Sequence, residues 1–122
     1  MEQSDLWEPF GSLPKGRISR SALNLDTLRN AANQPLGRGS LTRAGRALDK
    51  HAAGQRQVDS SFPRLSGSNA DKNQIAKQQV NEILSSPNAI FRKLGRGGIE
   101  ARLPDGRGIR FNKDGSFSGF ID

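Results

Sequence analysis

The sequence contains no cysteine, which removes disulfide scaffolds, thiol catalysis and cysteine-bound zinc and leaves the redox compartment open. It has a single histidine, His51, whereas zinc or nickel ligation generally needs several imidazoles or thiolates. Multi-histidine metal centres, those of histidine-rich nucleases included, are therefore excluded. Asp-x-Asp or Glu-Asp clusters at magnesium spacing are absent as well, which argues against a metal-dependent nuclease, and no metal or other cofactor is expected. No apolar run approaches the roughly 18 residues of a membrane-spanning helix. The opening Met1-Glu2-Gln3-Ser4-Asp5 is acidic and is not followed by an apolar core with a small-residue cleavage site. Neither membrane insertion nor a secretory signal is expected, so export would depend on something outside this sequence.

Apolar residues are scarce too. They make up 33% of 122 residues, and the mean hydropathy is -0.68, too little to fill a large core along the whole length. The core candidates concentrate after Leu41. The expectation is a folded domain over residues 40–122, preceded by a loosely held arm over residues 1–39. What the chain has in excess is positive charge: 19 Lys and Arg against 12 Asp and Glu, a net +7 and an isoelectric point near 10.8. That balance predicts a polyanionic partner, nucleic acid first, an anionic membrane surface second, with an acidic protein compatible with either. Nothing in the pattern points to a homo-oligomer.

In the arm, Trp7 and Phe10 bracket Glu8-Pro9 and are expected to dock on the main body. A short helix is predicted from Asn24, a capping residue, to Ala32, stopping before Pro35. A second is predicted from Ser40 as N-cap to about Ala53, with Leu41, Ala44, Leu48 and His51 on one stripe and Gly54 ending it. Arg43, Arg46 and Lys50 give this helix a basic flank. A third helix, from Asn69 or Ala70 to Ser85, repeats Ala76, Val80, Ile83 and Leu84 at helical spacing and cannot pass Pro87.

From Ala89 the periodicity changes to two. A strand over Ala89 to Leu94 is followed by Ile99 to Leu103, Gly108 to Phe111 and Phe117 to Ile121, with turn sequences between them. Ile99, Ala101 and Leu103 share one face, as do Ile109 and Phe111, while Glu100, Arg102 and Arg110 take the other. Helices followed by strands indicate an α+β domain with N-terminal helices packed on a sheet of about four antiparallel strands. One sheet face is then apolar, and the other offers a carboxylate and two guanidiniums.

Gly95-Arg96-Gly97-Gly98 and Gly106-Arg107-Gly108 read as turns, since no helix follows and no Walker-type Lys-Ser/Thr is present, although Arg107 at its tip can touch a phosphate. Asp105 and Asp114 sit where turns need an Asp. The remaining set, His51, Lys50, Glu100, Arg102 and Arg110, needs no metal to cleave RNA. The ribose 2′-oxygen attacks the adjacent phosphorus once a base takes its proton, and an acid protonates the departing 5′-oxygen. Histidine suits either role, and guanidiniums stabilise the phosphorane. Each residue also has a plainer explanation. His51 can be a favourable charge at a helix C-terminus, and Glu100, Arg102 and Arg110 can form an ordinary solvated ion cluster. On residue pattern alone, a nuclease and a non-catalytic basic RNA- or DNA-binding module both stand.

The segment Leu41 to His51, the segment Arg102-Leu103-Pro104-Asp105-Gly106-Arg107-Gly108-Ile109-Arg110-Phe111 and the ending Asp114-Gly115-Ser116-Phe117-Ser118-Gly119-Phe120-Ile121-Asp122 resemble the C-terminal toxin regions of bacterial polymorphic toxins. These are the tips of contact-dependent growth inhibition (CdiA-like) and Rhs-like effectors. Such toxins are similar to the barnase, EndoU, colicin and RelE fold group, in which helices pack on a small antiparallel sheet and the open sheet face carries RNase chemistry. The resemblance implies a metal-independent endoribonuclease, often aimed at tRNA near its anticodon. Such a toxin is delivered as the C-terminal part of a larger protein, acts in the target-cell cytoplasm and is neutralised by a cognate immunity protein. A basic toxin implies an acidic one. Carried onto this chain, activity would fall on Lys50, His51, Arg102 and Arg110, and on Glu100 with a looser match. Backbone contacts would come from Arg43, Arg46, Lys93, Arg96 and Arg107.

Overall fold

The computed structural model describes residues 16–54 and 60–122, so the docking expected of Trp7 and Phe10 lies outside the described residues. Three helices lie against one face of an antiparallel sheet whose strands run in sequence order, the α+β arrangement expected. The elements are β1 (Arg17–Ile18), α1 (Leu25–Ala32), α2 (Arg43–Gly54), α3 (Asn69–Ser85), β2 (Ile90–Lys93), β3 (Ile99–Arg102), β4 (Gly108–Phe111) and β5 (Phe117–Ile121).

Each helix starts where a side chain satisfies its first free N–H groups. Asn24 Oδ1 accepts from the Thr27 N–H at 3.1 Å and opens α1. Ser68 and Asp71 form a reciprocal capping box that opens α3. For α2 the cap is Thr42, not the expected Ser40. Thr42 Oγ1 accepts from the Gly45 N–H at 3.0 Å, while the Ser40 hydroxyl closes a turn by donating to the Gly37 carbonyl at 2.9 Å. The two-residue shift also serves packing, because the Thr42 N–H donates to Asn73 Oδ1 on α3 at 2.8 Å. A Cβ on Gly45 would come within 2.4 Å of that same oxygen, so glycine permits the close approach of α2 and α3.

The three hairpins of the β2–β5 meander share one turn, repeated every nine residues. Leu94, Leu103 and Asn112 each accept from the N–H three residues on and donate to the carbonyl four residues on. The third residue is always a glycine at positive φ: Gly97 at 97°, Gly106 at 99° and Gly115 at 90°. Sheet register aligns Phe91, Ala101, Ile109 and Phe120 in one row on the helix side, and Phe111 with Phe117 in another. These residues meet Leu48, Ala76, Val80, Ile83 and Leu84 in the core. On β3 and β4 the alternation read from the sequence is thus the alternation that folds, while on β5 it is interrupted at Ser118.

From Gly16 on, the segment expected to be a loosely held arm packs onto this body. β1 pairs with β2 and makes the sheet five-stranded rather than about four, and two residues are too short a run to show a period. The Arg20 guanidinium lies over the Phe91 ring, 5.6 Å from its centroid, and donates to the Ser86 carbonyl. Leu28 and Ala32 of α1 are buried in the common core, and Pro35 bridges to Thr42.

Candidate active site

On the sheet face away from the helices, register places Arg17, Arg92, Glu100, Arg110 and Gly119 side by side across all five strands. A second row holds Ile90, Arg102, Gly108 and Ile121. Two arginines, Arg102 and Arg110, bond one carboxylate, and two more, Arg92 and Arg17, continue its row. Glu100 is 5% exposed, the one buried charged residue among those described. Arg110 donates to its Oε1 at 2.9 Å and Arg102 Nε to its Oε2 at 3.2 Å, and Arg102 also donates to the Gly106 carbonyl at 3.0 Å. Burial alone would raise the Glu100 pKa, but the hydrogen bonds from Arg110 and Arg102 outweigh it, and the group sits below the usual carboxylate range. The result is an ionised, oriented carboxylate buried beneath two guanidiniums that themselves reach solvent.

The structure does not bring His51 to these guanidiniums. Its Nε2 lies 3.0 Å from Asp122 Oδ1, and the Ser60 hydroxyl donates to Asp122 Oδ2 at 2.6 Å. The ring packs edge-on against Phe62, which packs on Phe120 of the helix-facing row. Since Ile121 covers Gly108 on the open face, Asp122 and its imidazole belong to the opposite side. The expected single constellation is split by the sheet, because α2 packs on the apolar face while Glu100, Arg102 and Arg110 project from the other. Lys50 stays with α2, where it joins Arg43, Arg46, Ala47, Leu36, Phe117 and Ser118 around a shallow groove of about 290 Å³ beside β5.

Arg107, expected at a turn tip near phosphate, turns inward instead. It donates to Gln79 and Glu82 on α3 at 2.7 Å and to Asp105 at 2.9 Å, and its side chain is 13% exposed. Burial opposes its charge, yet Glu82 and then Asp105 raise its pKa, so this cation is neutralised by two carboxylates. Asp105 is held low first by the Arg107 N–H, and exposed Asp114 first by the Ser116 hydroxyl, which are the turn roles expected of them. Lys93 and Arg96 are exposed on β2 and its turn, three strands from β5, and join neither cluster. The sequence reading missed Arg17, Arg92, Asp122 and Ser60. Arg92 was legible, since it alternates with buried Phe91, whereas nothing local signals that Asp122 ends beside α2. Among the described residues no three His, Cys, Asp or Glu come together in a way that would hold a metal ion.

A helical layer on an antiparallel meander, with an arginine-rich open face around a buried glutamate, describes a small α+β domain suited to gripping a polyanion. Residues 29–122 match the family model of the CdiA C-terminal tRNase toxin domain, and the chain belongs to that family. It is also similar to the crystal structure of the toxic C-terminal tip of CdiA from Pseudomonas aeruginosa in complex with an immune protein. The two are 38% identical over 76% of this chain and 99% of that one, with a TM-score of 0.59. No curated protein matches.

Proposed function

We propose that this domain is a metal-independent endoribonuclease that cuts tRNA, near the anticodon, by 2′-hydroxyl transesterification on the open sheet face. The observation that carries this reading is Glu100, a buried carboxylate kept ionised between Arg102 and Arg110 on a face whose other charged residues in the same row, Arg17 and Arg92, are also cations. Glu100 takes the 2′-proton, the 2′-oxygen bonds to phosphorus, and the bond to the 5′-oxygen breaks with a proton supplied by water. Arg102 and Arg110 stabilise the charge of the phosphorane, and their fixed positive charge does there what a metal ion does elsewhere. The products are a 2′,3′-cyclic phosphate and a 5′-hydroxyl. Arg43, Arg46 and Lys50 hold RNA backbone beside β5, and Lys93 and Arg96 add outlying contacts.

Family membership supports the tRNA target, delivery as the tip of a larger protein and action in the cytoplasm of the recipient cell. The immune protein in the Pseudomonas complex supports a cognate antagonist here. Charge complementarity makes that antagonist acidic. Incubating the purified domain with total RNA in EDTA tests the enzyme. Discrete tRNA fragments with 5′-hydroxyl ends are expected, while RNA that is bound but intact would leave a binding module. The Asp122-oriented imidazole supports a second reading, with His51 as acid or base and Lys50 orienting phosphate at the end of the α2 groove. Under that reading His51→Ala abolishes cleavage and Glu100→Gln does not.

A further inference from the structure

Strand interiors are poor places for glycine, which has no side chain to pack and loses more backbone freedom on folding than any other residue. Among the described residues two glycines lie within strands, Gly108 and Gly119. Gly108 has a steric reason, since a Cβ there would meet Ile121 at 2.8 Å and the Ala101 carbonyl at 3.0 Å. Gly119 has none of this kind. A Cβ would meet nothing within 4 Å, and φ is not positive. The position is nevertheless particular, because register sets it directly opposite Arg110 on the open face. Arg110 leans away from it, from β4 onto Glu100 of β3, so the surface above Gly119 is uncovered on the side of Arg110 that the ion pair does not occupy.

We propose that Gly119 keeps open a recess in which the nucleotide adjoining the scissile phosphate lies, with its sugar and base against bare strand backbone. Facing side chains on neighbouring strands are about 5 Å apart, so a ribose over Gly119 is one strand from Arg110 and two from Glu100. Ile121, half-buried two residues along, borders the recess with an apolar edge suited to the flat face of a base. Half of the site thus exists as absence of side chain, with the charges drawn to one side of it. This inference rests on open-face chemistry at Glu100 and adds the seat of the substrate.

The test is a size series at a position that tolerates side chains in the free protein. Gly119→Ala, Gly119→Val and Gly119→Phe are expected to fold with a thermal midpoint equal to or above that of the wild type. Their cleavage of tRNA and of a short single-stranded RNA should fall stepwise with volume, by about a hundredfold at Val through displacement of the reacting atoms. Wild-type cleavage by Gly119→Val overturns the recess, and so does unfolding of both the Ala and Val variants, which would make the glycine a requirement of the chain. Glu100→Gln run alongside separates the two ideas. If it abolishes cleavage while Gly119→Val does not, only the recess falls; if it cleaves normally, the open-face reading falls and the recess with it.

Discussion

The domain contains two ion clusters of opposite proportion. On the open face one carboxylate, Glu100, is shared by two guanidiniums, Arg102 and Arg110, and two further arginines stand in the same row. At the β3–β4 turn one guanidinium, Arg107, is shared by two carboxylates, Glu82 and Asp105. The second cluster ends with its cation cancelled and fastens the turn to α3. The first ends with cations in excess over an ionised base. Chemically similar hydrogen bonds thus serve cohesion in one place and leave reactive charge in the other, and the ratio of partners makes the difference.

The largest effect should come from Glu100→Gln, which keeps the shape and removes the base. Cleavage of tRNA is expected to drop by about 10²–10⁴-fold in a gel assay with end-labelled tRNA. Arg110→Ala removes one stabiliser of the transition state and should cost on the order of 10²-fold in the same assay. Arg107→Ala reverses the pattern. The folded protein should cleave normally, while urea unfolding reports a loss of about 1–3 kcal/mol from the charged hydrogen bonds. An Arg107 variant that folds as the wild type does but cannot cleave would erase the contrast.

Two smaller effects sharpen it. Replacing Arg43, Arg46 or Lys50 by Ala should weaken tRNA binding and reduce the slope of log affinity against log salt by about 1 for each cation removed. For pH, the folded Glu100 has a pKa below its ordinary value near 4.5. Its contribution to stability is therefore complete above that value and disappears as pH falls through the lowered one. Unfolding midpoints followed downward from pH 6 should fall less steeply for Glu100→Gln than for the wild type.

The sheet was legible because period-two alternation assigns faces without any knowledge of neighbours: Glu100, Arg102 and Arg110 share one side in the sequence and in the fold. The same rule applied to β2 would have found Arg92. His51 was legible only in part. Helical spacing sets it at the margin of the apolar stripe, but its partner Asp122 is 71 residues away, and no local pattern shows which face of the sheet α2 will cover. Arg107 misled because a turn tip between two glycines looks solvent-facing, whereas α3 approaches from below with Gln79 and Glu82 in reach. β1 was invisible because its two residues are ordered by the edge of β2, not by any property of their own.

Strand β5 carries one residue more than its neighbour. Phe111 faces Phe117 and Arg110 faces Gly119, so Ser118 has no opposite number. Excising Ser118 would leave each of these facing pairs intact and restore a regular ladder, so the extra residue is needed neither for register nor for sidedness. What it adds is bend. Phe117 and Ser118, on one side of the irregularity, line the groove with Arg43, Arg46 and Lys50, while Gly119, on the other, faces Arg110. An RNA strand rounding that edge would meet the two cationic surfaces in succession, joined by a corner one amino acid wide.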